Sequence, residues 1–187
     1  MVDYLENFRS MAKKAACIAD NPAAEIVELL GGRLPSRWGR MPLLSRAMIV
    51  ETGAVLKSHG LMKNGTRLCD NGMTVGLVGA TRFGSMQTDL AFKKSMTLGP
   101  GLASPALFGY TLPNTPLAEA AVIFGLTGPV YAIYHDGDNL HERARLEAES
   151  LLDAFANLDW VLACVFDHYP GEDEPENIFV NLTVSSR

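Results

Sequence analysis

No Cys-x-x-Cys pair occurs in the sequence, and its three cysteines, Cys17, Cys69 and Cys164, are odd in number and widely spaced. That pattern argues against a disulfide framework and a zinc site, so no metal is expected, and a reducing cytoplasm is the default expectation. Basic charge is scarce as well. There are 16 Lys and Arg against 21 Asp and Glu, for a formal net charge of −5. With no Lys/Arg cluster along one face, nucleic acid is not an expected partner. Apolar stretches are broken by glycine or polar residues well before the ~18 residues a bilayer span requires, so no membrane partner is expected. The opening MVDYLENFRSMAKK lacks the apolar core and small-residue cleavage site of a signal peptide. Internal repeats and low-complexity tracts are missing too, and nothing in the residues asks for a cofactor.

What is present suits one globular domain with a real core: 187 residues, 48% hydrophobic and 20% charged. Residues 2–12 put Tyr4, Leu5, Phe8, Met11 and Ala12 on one helical face. AACIAD, residues 15–20, either continues that helix or forms a short buried strand. Residues 23–30 read as a helix stopped by Gly31-Gly32, and LPSRWGRMP as a loop. A long helix follows over 42–60, with Leu44, Met48 and Val55 recurring alongside Ala47 and Ala54, Pro42 in its first turn and Gly60 at its end. Residues 61–72 are loop, marked by Asn64-Gly65 and Asn71-Gly72. MTVGLVGA, residues 73–80, is apolar at nearly every position, as a parallel strand covered on both faces requires.

A turn, a helix of about ten residues and a Gly/Pro-rich ordered loop come next. Thr115 is expected to cap a further helix that has Pro116 in its first position and Gly125 at its end. PVYAIYH, residues 129–135, is a second strand. The helix 140–157 lines Leu140, Ala144, Ala148, Leu151 and Phe155 along one face, and DWVLACVF, residues 159–166, is a third strand. PGEDEPEN is a charged surface loop. Last, NIFVNLTVS alternates Ile178, Val180, Leu182 and Val184 with Asn181, Thr183 and Ser185, the period of an edge strand, and the short loop before it implies antiparallel pairing. The expected class is α/β: a layered α/β/α single domain over 1–187, with a mostly parallel mixed sheet of about five strands and an antiparallel last strand.

Several of these segments, in this order, resemble the N-terminal half of the β-ketoacyl synthases, in the thiolase-like superfamily. SRAMIVETGAVLKSHGL is similar to a family helix, and VGLVGATRFGSMQTDLAF to the strand, turn and helix after it. SPALFGYTLPNTPLAEAAVIFGLTGPVYAI resembles the family stretch with a proline-asparagine, a small-residue helix and a closing Gly-Pro. LDWVLACVFD and NIFVNLTVS are similar to the last two strands of the half-domain. The likeness covers roughly residues 40–187. The family's first strand, central in its sheet, would come from the first 40 residues, with AACIAD as the best candidate.

The resemblance implies a fold and an association surface but not the activity, which in the family is acyl transfer. Its nucleophilic cysteine sits at a helix N-terminus, where backbone N–H groups favour a thiolate and an oxyanion. On the family pattern that position falls at or beside Gly137, within His135, Asp136, Gly137 and Asp138, and no Cys, Ser or Thr lies between Val130 and Glu149. Asp136 and Asp138 are instead suited to capping the helix. The family's two histidines belong to a C-terminal half-domain that this sequence does not carry. No catalytic residue is therefore expected.

Chain-length factors of the family also lack the cysteine and pair with a competent synthase. By resemblance, Val130, Tyr131, Ala132 and Ile133 would form the interface of a homodimer, or of a heterodimer with a β-ketoacyl synthase, with acyl carrier protein as a further partner. The resemblance thus implies a non-catalytic, chain-length-factor-like subunit in fatty-acid or polyketide-type biosynthesis. Two alternatives stand beside it: a small enzyme acting on a thioester with His135, Asp136, Asp167 or His168, and a degenerate homodimeric acyl-binding protein. Read without the family, His135-Asp136 is a loop or cap pair, Asp167-His168 is a polar pair after the third strand, Cys164 is a buried inert thiol and Cys69 an exposed one. Gly76, Gly79 and Gly84 form only a loose glycine pattern, without the phosphate-loop lysine.

Overall fold

A computed structural model describes residues 24–32, 34–62, 67–97, 99, 101–171 and 177–186. The expected helix over 2–12, the segment 15–20 and Cys17 lie outside them. In chain order come α1 (Ala24–Leu29), a 3-10 turn (Trp38–Arg40), α2 (Leu43–Ser58), a second 3-10 turn (Leu68–Asn71) and β1 (Val75–Thr81). They are followed by α3 (Met86–Met96), α4 (Pro105–Phe108), α5 (Asn114–Phe124), β2 (Val130–Tyr134), α6 (Leu140–Ala154), β3 (Trp160–Tyr169) and β4 (Asn177–Ser186).

The sheet runs β2-β1-β3-β4. β1 pairs parallel with both β2 and β3, and β4 pairs antiparallel with β3. The expected α/β class, parallel core and antiparallel closing strand hold, with four strands rather than five among the described residues. β1 and β3 are hydrogen-bonded neighbours in register from Val75↔Trp160 to Ala80↔Val165, so no strand lies between them, and the candidate first strand, residues 15–20, lies outside the described residues.

Alternation along the strands builds two cores, because successive side chains leave opposite faces. Val75 and Leu77 of β1, with Leu162, Cys164 and Phe166 of β3, pack against Leu44, Met48 and Ile49 of α2 and Leu117 and Phe124 of α5. Val78, Ala80, Val161, Ala163 and Val165 face Ala144, Ala148, Leu151 and Leu152 of α6. The expected α/β/α layering follows from this division. Every residue of β1 is buried, as a strand covered on both faces requires. The stripe on α2 differs in one place: Ala54 is exposed, and Thr52, Gly53 and Leu56 take the inner face. Gly53 is required where α2 meets α5, since a Cβ there would stand 2.8 Å from Phe124 Cζ.

Two helix ends depart from expectation. α5 begins at Asn114, before Thr115, because Pro113 already has helical angles, φ −64° and ψ −18°. Thr115 Oγ1 donates instead to Gly109 O at 2.6 Å, and Gly125 ends the helix at φ 69°. α6 is flanked by Asn139 rather than Asp136 or Asp138, and no side chain caps it. It stops at Ala154, which leaves Phe155 outside and 45% exposed.

Candidate functional site

The C-terminal ends of β1 and β2 meet where two turns face each other: residues 81–85 after β1 and residues 135–139 after β2. The first turn is fixed from below by Asp167 of β3. Its Oδ1 accepts from Thr81 Oγ1 at 2.5 Å, Phe83 N at 2.7 Å, Gly84 N at 2.8 Å and Arg82 N at 3.1 Å. Thr81 Oγ1 in turn accepts from Gly84 N at 2.7 Å, and His168 N donates to Gly84 O at 2.9 Å. A buried carboxylate is tolerated when several donors surround it. The reversal relies on Gly84 at φ 55°, a region that disfavours side chains.

Asp167 and His168 lie inside β3, which runs on to Tyr169, and both are buried. The expectation of a polar pair in a loop after the strand is corrected: the pairing with β4 extends the strand past Phe166, and Asp167 builds the turn.

The second turn carries the residues singled out in the sequence. His135 N donates to Thr81 O at 3.0 Å, continuing the β1–β2 ladder. Its ring Nε2 lies 2.6 Å from Asn139 Oδ1. The Arg82 guanidinium bridges the two turns, donating to Asp136 O at 2.6 Å and to Asp138 Oδ1 at 3.0 Å. Asp138 therefore serves as an ion-pair partner rather than a cap, and Asp136 contributes its carbonyl. Gly137 stands between them. A Cβ added there would lie 2.6 Å from His135 Nε2 and 3.0 Å from Asn139 Oδ1. Both are the ends of side chains, which are joined to each other in the exposed His135–Asn139 contact.

Beside the turns is a cavity of about 250 Å³, lined among others by Arg82, Phe83, Ser85, Asp89, Thr111 and Tyr134. Burial raises the carboxyl pKa of Asp89. Ser85 is buried, and its hydroxyl has no hydrogen-bond partner. The surrounding surface is apolar: Phe83, Met86, Leu90, Leu112 and Tyr134 are all exposed, Tyr134 by 73%.

Among the described residues β2 is an edge strand, and all of its side chains but that of Tyr134 are half-buried. Val130 and Ala132 pack against the α2/α5 core, Tyr131 and Ile133 against the α6 core. Tyr131 also donates from its hydroxyl to Glu147 Oε1 at 2.5 Å. The strand therefore offers its outer side as backbone. Of the glycine pattern, Gly76 and Gly79 are packing residues inside β1, close to Pro129 O and to the Phe166 ring respectively. Cys164 is fully buried, and burial pushes its thiol pKa up. Cys69 is half-buried, not fully exposed, in the turn Leu68–Asn71. No helix among the described residues is long and apolar enough to cross a membrane.

Asp167's role and the Arg82 bridge were not visible in the sequence. Both join residues more than fifty positions apart, and no local periodicity marks them.

No family model and no curated protein matches the sequence. Solved structures do match. The ishigamide ketosynthase/chain length factor superposes with a TM-score of 0.64 at 17% identity, over 89% of this chain and 48% of that one. A ketosynthase in complex with its chain length factor from Xenorhabdus doucetiae gives 0.54 at 16%, over 92% and 71%. A beta-ketoacyl synthase from Burkholderia phymatum STM815 gives 0.52 at 13%, over 71% and 32%. This chain spans about half the length of the first of these. At such identities the likeness is one of fold: the chain has the thiolase-like half-domain architecture found in ketosynthases and chain length factors.

Proposed function

We propose that the chain is a non-catalytic subunit of the β-ketoacyl-synthase type. It pairs with a synthase along the β2 edge and shapes the acyl chamber in fatty-acid or polyketide-type biosynthesis. The observation that carries this reading is the glycine at position 137, beside the His135–Asn139 contact. On the family pattern the nucleophile falls at or beside Gly137, which has no side chain, and a Cβ there would meet the ends of the His135 and Asn139 side chains.

Three further features support it. β2 ends the sheet and presents backbone outward, which is how one chain adds to another's sheet. The exposed apolar residues Phe83 and Tyr134 both line the cavity beside β2, as a contact surface requires. The cavity is lined by Ala132 and Tyr134 of β2 itself, so a subunit docked there would form one of its walls. Among the matched structures is a ketosynthase with its chain length factor, the type of pair proposed.

The reading with His135, Asp136, Asp167 and His168 as a thioester-acting set gains no support from the geometry, because Asp167 is committed to the turn after β1. The test is recovery of the tagged chain from its native host. A co-purifying synthase or acyl carrier protein is expected; recovery without either would count against the proposal.

A further inference from the structure

We infer that Asn114 guards the β2 edge in the free chain. Its carboxamide takes the place of a neighbouring strand at Ala132 and hinders pairing with a second copy of this chain. The inference rests on the reading of β2 as a pairing edge.

The ladder with β1 fixes which backbone groups of β2 face outward. Leu77 N donates to Pro129 O, and His135 N to Thr81 O. A strand residue turns its N–H and C=O to one side, and its neighbours turn theirs to the other. Residues 129, 131, 133 and 135 therefore face β1, and Val130, Ala132 and Tyr134 face away. Ala132 is the middle residue of β2, Val130–Tyr134. Its outward N–H donates to Asn114 Oδ1 at 2.8 Å. An amide oxygen on a side chain reproduces the carbonyl that an incoming strand would offer.

The bond also fixes how α5 lies. Asn114, Ala118 and Val122 follow one another at four-residue steps and are all exposed, Val122 by 64%. They form one stripe, and the contact with Ala132 sets its first member against the strand. A second strand entering the ladder meets Asn114 at the centre of β2, where the side chain interrupts pairing on both sides. Exposed edges join copies of a chain unless something blocks them, and here a single side chain does so.

The test compares the wild-type chain with Asn114→Ala and Asn114→Asp by sedimentation across a concentration series. Circular dichroism checks the fold. Each lost cap is worth roughly a five-fold change, so a pair of Asn114→Ala chains is expected to associate roughly 25-fold more tightly than wild type. Asn114→Asp keeps an acceptor oxygen and is expected to stay as monomeric as wild type. Hydrogen exchange adds a reading that needs no variant: the Ala132 amide is protected in the wild-type monomer. Asn114→Ala no more associated than wild type, a wild-type chain already paired through β2, or a fast-exchanging Ala132 amide would each overturn the inference. A synthase that fails to bind the wild-type chain overturns the proposed function and leaves these results as they are.

Discussion

Thr81 at the end of β1 and Asp167 in β3 are joined across 86 positions by a hydrogen bond of 2.5 Å, and the same carboxylate oxygen gathers the N–H groups of Phe83 and Gly84. The turn that borders the candidate site is therefore held by one side chain. Asp167→Ala leaves these buried donors unpaired and is expected to destabilise the fold by about 2–4 kcal/mol. Asp167→Asn keeps one acceptor oxygen and is expected to lose roughly half as much. Urea unfolding measures both, and equal losses would contradict the role given to Oδ1.

Restoring a thiol is not expected to restore chemistry. In Gly137→Cys the new Cβ would start 2.6 Å from His135 Nε2, so the His135 ring must swing away from Asn139 to admit it. Incubated with an acyl thioester and examined by intact mass, the variant is expected to gain no acyl group. A stoichiometric adduct at the introduced thiol would show that the turn still holds nucleophile geometry.

The centre of the sheet tolerates no side chain at Gly79. A Cβ there would lie 2.5 Å from Phe166 Cε1 and 2.8 Å from Cys164 Sγ. Gly79→Ala is expected to cost about 1–3 kcal/mol through overpacking. Adding Phe166→Leu is expected to recover part of the loss in the same unfolding assay. A neutral Gly79→Ala would mean that the two cores pack more loosely than described.

Tyr131 gives a pH-dependent prediction. Burial first, then the hydrogen bond and charge of Glu147, raise its phenol pKa. A raised folded-state pKa stabilises the protonated form. The contribution is thus fully present below the unfolded value of about 10 and is lost as pH rises through the folded value. Ultraviolet titration should show this phenol ionising later than free tyrosine, and Tyr131→Phe should shrink the late phase, to which Tyr110, raised by burial and Glu119, also contributes, while costing about 0.5–1.5 kcal/mol. Ionisation with the exposed tyrosines would contradict the Tyr131–Glu147 contact.

Much of the fold was legible in the sequence because burial leaves a local mark. VGLVGAT is apolar throughout and became a strand covered on both faces. NIFVNLTVS alternates and became the antiparallel edge. The site was legible only in part. Gly137 and the β2 residues could be placed by resemblance, whereas Asn114, Arg82 and Asp167 act through partners 18, 54 to 56 and 83 to 86 positions away. The start of α5 was read at Thr115 because threonine is a common cap; Pro113, already helical, moved it to Asn114. A central first strand is implied by the resemblance alone; its candidate, residues 15–20, lies outside the described residues, in which β1 pairs directly with β3.

The central claim is that β2 joins this chain to a synthase, and it is tested most directly by mass. Light scattering of the purified chain, alone and after co-expression with β-ketoacyl synthases of its host, should give a monomer alone and a one-to-one complex with one of them. A stable homodimer that ignores every synthase would contradict the account.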